Sequence, residues 1–110
     1  WCYYYQKTDL ARQLGDWQTA GDYARRGLEL LPSRPEPAEL RPIIEALAHT
    51  GAWQTAQRLT ETILSQSTDQ NRILCALWQR MAAATPASDS RSESLAWMTS
   101  RTGCNFSGTG

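Results

Sequence analysis

The chain has 110 residues, enough for one domain, with 11 basic and 11 acidic side chains and a formal net charge of zero. That balance argues against a nucleic-acid surface or a polybasic membrane surface, since either needs a basic excess. No apolar run reaches the roughly 20 residues of a membrane span. No signal peptide is visible, and a start at Trp1 rather than Met reads as a piece of a longer protein.

The first predicted helix covers about residues 3–14. Tyr4, Lys7, Leu10, Ala11 and Leu14 fall on one face at spacings of three and four. Lys7 can lay its stem along that face with its charge outside. Gly15 is expected to end the helix, because glycine accepts the left-handed conformation of a C-terminal cap. Asp16 then offers a carboxylate as N-cap. The second helix, about 17–31, carries Trp17, Ala20, Tyr23, Ala24, Leu28 and Leu31 as its apolar stripe. Pro32 closes it, and the stiff loop Ser33-Arg34-Pro35-Glu36-Pro37 cannot continue a helix.

The second unit repeats the plan. Gly15-Asp16-Trp17-Gln18-Thr19-Ala20 recurs as Gly51-Ala52-Trp53-Gln54-Thr55-Ala56, 36 residues later. An echo at that period marks stacked helical hairpins, each burying its apolar face on the next. The third helix is read over about 38–50 with Leu40, Ile43, Ile44 and Leu47 inward. Its regular part is expected to begin only near Arg41, which places Pro42 in the first turn. The fourth helix, about 53–66, buries Trp53, Ala56, Leu59, Ile63 and Leu64. Ala52 stands where the first unit has Asp16, which removes a cap worth about 1 kcal/mol.

Thr68 or Asp69 is expected to cap a fifth helix, about 71–84, with Ile73, Leu74, Leu77, Trp78 and Met81 at helical spacing. Trp78 is expected to be more open than Trp17 and Trp53, which sit at matching core positions of the repeat. Residues 87–110 turn to Ser, Thr, Asp, Arg and Gly and read as a flexible tail with at most one helical turn. Asn105-Phe106-Ser107 fits a glycosylation sequon, read as chance. Cys2, Cys75 and Cys104 form no C-x-x-C pair, and an odd count is a poor disulfide framework, so reduced or unpaired thiols are expected. The expected organisation is all-α. A repeat domain over 1–86 holds two full hairpins (3–32 and 38–66) plus one further helix, and the tail follows.

The first unit resembles a tetratricopeptide repeat. The residues that carry the likeness are Gly15-Asp16-Trp17, Ala20, Tyr23-Ala24, Gly27-Leu28 and Pro32. The second unit supplies Gly51, Trp53, Ala56 and Ile63 without a closing Pro. Its period exceeds the family's usual 34 by two. Lys7, Thr8 and Gly27 depart from the family's pattern. The resemblance covers about residues 1–84 and implies a right-handed superhelix whose concave face is lined by the first helix of each hairpin. It implies a groove formed by Cys2, Tyr5, Asp9, Arg12 and Gln13, then Arg41, Glu45, Ala48 and His49, then Arg72, Cys75 and Gln79.

A further likeness lies in Trp1-Cys2-Tyr3-Tyr4-Tyr5-Gln6-Lys7 leading into Leu10-Ala11-Arg12-Gln13-Leu14-Gly15-Asp16-Trp17. That stretch is similar to soluble tails of some bacterial multi-span membrane proteins resembling glycosyltransferases that use lipid-linked sugars. This implies a structural accessory tail, tethered to a bacterial membrane through upstream sequence, with catalysis elsewhere.

The functional expectation is a non-catalytic interaction module that binds a peptide or partner subunit. Its site residues are Tyr5, Asp9, Arg12, Gln13, Arg41, Glu45, His49, Arg72 and Gln79. Exposed Tyr and Trp side chains leave room for self-association. No nucleic acid, membrane insertion by this piece, metal or other cofactor is expected. His49 is the only histidine and has no companions at ligand spacing. No triad or phosphate loop points to an enzyme.

Overall fold

Two glycines at matching places set the helix turns. Gly15 has φ +74° and Gly51 φ +87°, in the left-handed region where glycine avoids a Cβ penalty. The computed structural model describes residues 1–106, apart from the side chain of Thr68. The described residues hold six α-helices and no strand: α1 (Cys2–Gln13), α2 (Trp17–Leu28), α3 (Pro37–His49), α4 (Trp53–Gln66), α5 (Asn71–Ala84) and α6 (Asp89–Thr102). Asp16 caps α2 as expected, its carboxylate accepting from the Thr19 N–H at 3.2 Å. Ala52 leaves α4 without a side-chain cap.

The central element is α3, which packs against α1, α2, α4 and α5. Residues 43–48 are buried without a break. Leu40, Ile43, Ile44 and Leu47 fill the core from this helix. A helix buried on nearly every side belongs inside a stack, not at its edge. Helices α1, α3 and α5 lie side by side, while α2 and α4 pack on α3 from the other layer and α6 packs on α4 and α5.

Small residues let the layers approach. A Cβ built on Gly21 would lie 2.5 Å from Thr50 Cγ2, and one on Gly27 would lie 2.9 Å from Tyr4 Cβ. Close approach also turns α1 away from its expected face. Thr8 and Ala11 are buried, whereas Leu10 and Leu14 are exposed. Thr8 is buried with its hydroxyl donating to the Tyr4 carbonyl at 2.7 Å.

Helix α3 begins earlier than expected. Pro37 occupies its first turn, and Glu36 and Glu39 form a reciprocal capping box there. Pro42 therefore sits inside the helix. It has no N–H to give the Ala38 carbonyl, and both residues face open space rather than the core. Helix α5 is entered through a 3-10 turn over Thr68–Gln70, with Gln70 as N-cap and no side-chain cap. Asp69 thus does not cap it; the role considered for the Thr68 side chain lies outside the described residues.

The flexible tail expected over 87–110 is corrected for residues 89–102, which form α6. The physical reason is that polar groups face inward and are matched there. Ser88 caps the helix by accepting from the Arg91 N–H at 3.1 Å. Arg91 is buried and donates to the Ala82 carbonyl at 2.7 Å, near the C-terminal end of α5 where positive charge is favoured. Ser94 donates to Gln57 Oε1 at 3.0 Å, and Arg101 pairs with Glu61. Met98 is fully buried. This helix also covers Trp78, which is buried and not open. Its indole donates to Thr60 Oγ1 at 3.1 Å, and its ring lies 5.8 Å from that of Trp97. The sequon ends at Ser107, outside the described residues.

The expectation of unpaired thiols is also corrected. Cys75 and Cys104 form a disulfide, with Cα atoms 5.5 Å apart; Cys2 alone is free and exposed. Helix α6 returns Cys104 to α5, and 29 residues separate the bonded partners. Closing a loop of that size restricts the unfolded chain and stabilises the fold by about 3.6 kcal/mol. Cys104→Ser is therefore expected to lower the unfolding free energy by about that amount. Denaturant melts of wild type under oxidising and reducing conditions, with the variant insensitive to reductant, provide the check.

Candidate functional site

Helices α1, α3 and α5 enclose an open cleft of about 630 Å³. Helix α1 contributes Tyr5, Gln6, Asp9, Leu10, Arg12 and Gln13. Helix α3 contributes Ala38, Arg41, Pro42 and Glu45, and α5 contributes Arg72, Ile73, Ala76, Leu77 and Arg80.

Seven of the nine site residues expected from the sequence line this cleft: Tyr5, Asp9, Arg12, Gln13, Arg41, Glu45 and Arg72. Two do not. Gln79 points to the C-terminal segment and donates to the Asn105 carbonyl at 2.9 Å. His49 lies outside the cleft and stacks on Trp17, with ring centroids 3.6 Å apart and planes 5° from parallel. Trp17, expected in the core, is half-buried under that stack.

The misplacement of Gln79 has a simple origin. From α1 to α3 the lining repeats at 36 residues: Tyr5 to Arg41, Gln6 to Pro42, Asp9 to Glu45. From α3 to α5 it repeats at 35: Ala38 to Ile73, Arg41 to Ala76, Glu45 to Arg80. The expected lining of α5 used 34. One residue is 100° of helix rotation. That error put Cys75 and Gln79 where Ala76 and Arg80 stand. Cys75 instead faces Cys104.

Glu45 organises the floor of the cleft. It is only 3% exposed, although it reads as a solvated charge in the sequence. Arg80 Nε donates to its Oε2 at 2.9 Å and Arg80 Nη2 to its Oε1 at 3.1 Å. This two-pronged geometry is the strong form of the carboxylate–guanidinium pair. Arg12 Nη1 approaches the same carboxylate at 3.7 Å from the opposite wall. Arg12 also binds Asp9 Oδ1, while Gln13 donates to Asp9 Oδ2 at 2.9 Å. Hydrogen bonding to Glu45 raises the pKa of Arg80, so that guanidinium stays charged.

The other two arginines are differently placed. Arg41 donates to the amide oxygen of Gln70 at 3.2 Å. Arg72 is exposed and is the second residue of α5. Among the described residues, neither has a carboxylate partner. Leu10 on one wall and Ile73 on the other are 50% and 45% exposed. The arrangement offers charge, amides and two aliphatic surfaces. It holds no nucleophile positioned by a base. Among the described residues, no group of His, Cys, Asp and Glu is arranged to hold a metal ion.

A smaller cleft lies between α4 and α6, lined by Gln54, Gln57, Arg58, Glu93 and Trp97 among others. Among the described residues, no helix is long and apolar enough to cross a membrane. No family model, no curated protein and no solved structure matches the chain.

His49 gives the molecule a pH dependence. Burial lowers its pKa below the ordinary 6.5, and Arg80 adds to this, while Glu45 opposes it. Between the folded pKa and about 6.5, the unfolded chain binds more protons, so stability rises with pH across that window. Wild type is expected to lose stability as pH falls below about 6.5. His49→Phe, which keeps a ring against Trp17, should lose less over the same interval. Denaturant melts of both proteins at pH 7.5 and pH 5.0 measure the difference, and equal losses would contradict the assignment.

Proposed function

We propose that this chain is a non-catalytic protein-interaction module of tetratricopeptide-repeat type, holding a peptide or partner segment in the cleft between α1, α3 and α5. The observation that carries this reading is the composition of the cleft's walls. One face from each of three helices contributes, and the lining combines charged, amide and aliphatic groups. An extended peptide needs partners for its backbone as well as its side chains. Gln6 and Gln13 supply amides that donate and accept. The Ala38 carbonyl, which receives nothing from Pro42, supplies a further acceptor.

A second reading, as an accessory tail of a larger membrane-bound, glycosyltransferase-like protein, draws on a different surface. Tyr3 and Leu30 are each 55% exposed, and Leu31 is also open. They lie at the end of the first helix pair where α1 begins and α2 ends. Upstream sequence packed on that end would cover them.

Site-specific photo-crosslinking in the native host separates the two. A photoreactive phenylalanine derivative replaces Ile73 in the cleft, Tyr3 at the open end, or Arg26 on the exposed side of α2. The interaction-module reading predicts a discrete cross-linked partner from position 73 and none from 26. Cross-links from position 3 alone, internal to the parent protein, would favour the accessory tail. Silence at position 73 would overturn the cleft as a binding site.

A further inference from the structure

We propose that the segment bound in the cleft is acidic, with an aliphatic side chain between its carboxylates. The inference rests on the reading of the cleft as a peptide groove and specifies its occupant. Four guanidiniums and two carboxylates line the cleft, in a chain whose formal net charge is zero. The internal pairing is unequal. Glu45 is engaged by Arg80 and Arg12, and Asp9 by Arg12 and Gln13. This leaves Arg41, bonded only to a neutral amide, and Arg72 as the local excess of positive charge.

Position matters as much as number. Arg72 is in the first turn of α5, where the helix dipole adds to its positive field. A cation there is mildly unfavourable in the unbound chain and is relieved by an incoming carboxylate. Arg41 is on the adjacent α3, tethered through Gln70 to the same end of α5. Both charges therefore sit toward one end of the cleft, with exposed Ile73 beside Arg72 on α5 and exposed Leu10 on the α1 wall. An aliphatic side chain set against Ile73 would bring flanking carboxylates toward the arginines. Guanidinium–carboxylate pairing is planar and two-pronged, which suits Asp and Glu side chains. Two unpaired charges and one lining aromatic, Tyr5, make a poor track for a nucleic acid, which needs a basic stripe with stacking platforms.

The test pans a random 12-residue displayed peptide library on the 110-residue chain and on two variants. Arg41→Glu/Arg72→Glu removes the charge excess, and Leu10→Gln/Ile73→Gln removes the aliphatic walls. All four positions are solvent-accessible, and circular dichroism checks that both variants keep the wild-type helicity. The expected result is enrichment on wild type of peptides rich in Asp and Glu around Leu, Ile or Val, lost on both variants. An enriched peptide remade with Asn and Gln should bind at least tenfold more weakly by fluorescence anisotropy. The acidic form should also weaken as salt shortens the reach of its charges. Neutral or basic peptides lost only on Leu10→Gln/Ile73→Gln would keep the groove and overturn the acidic occupant. Acidic peptides retained equally by Arg41→Glu/Arg72→Glu would overturn it too. No enrichment above a blank support would overturn both readings.

Discussion

One buried carboxylate constrains the arrangement of three helices. Glu45 lies on α3, within the helix that the others pack around, and its charge is almost withdrawn from solvent. An unpaired carboxylate there would be strongly unfavourable. Arg12 from α1 and Arg80 from α5 remove that penalty, and both must stay within reach of the same two oxygens. The pairing thereby fixes the spacing of α1, α3 and α5. The net gain is small, since Arg80 is 60% and Arg12 29% exposed, but any arrangement that separates them from Glu45 leaves a buried charge unpaired. The cleft above Glu45 inherits its width from that requirement.

The outer layer works by closeness instead of charge. Gly21 against Thr50 and Gly27 against Tyr4 bring backbones together where any larger residue would push them apart. Trp53, Trp78 and Trp97 then form a row of tilted rings across α4, α5 and α6. The row ends at α6, whose polar inward face is matched by Gln57 and the Ala82 carbonyl. The Cys75–Cys104 disulfide and the Gln79–Asn105 hydrogen bond fasten the segment after α6 to the outer side of α5. That segment therefore covers the face of α5 turned away from the cleft, and the cleft itself stays open.

Much of the architecture was legible in the residues. The 36-residue echo located two turns, and apolar spacing located five helices; α3 and α4 bury the stripes so read, whereas α1 buries Thr8 and Ala11 and leaves Leu10 and Leu14 exposed. Helix α6 was not legible, because its inward positions are Arg91, Ser94 and Met98, and a matched polar face has no signature in a single sequence. Most of the cleft's lining followed from the repeat, which assigns equivalent positions to Asp9 and Glu45. Arg80 was missed because the lining repeats at 35 residues from α3 to α5, one more than the spacing used to place it. Nothing in the repeat could distinguish Glu45, buried and doubly paired, from Asp9, its half-exposed equivalent. That difference arises from the neighbours that only a central helix has on both sides.

Four arginines divide the labour of the cleft. Arg12 and Arg80 hold the structure through Glu45, and Arg41 and Arg72 are left for a ligand. NMR of the arginine Nε–Hε groups reads all four at once, during titration with a short peptide of alternating Asp and Leu. The account predicts slow solvent exchange for Arg12 and Arg80, abolished for Arg80 in Glu45→Gln, with peptide-induced shifts concentrated on Arg41 and Arg72. Arg80 exchanging as fast as exposed Arg34, or peptide shifts spread evenly over all the arginines, would contradict it.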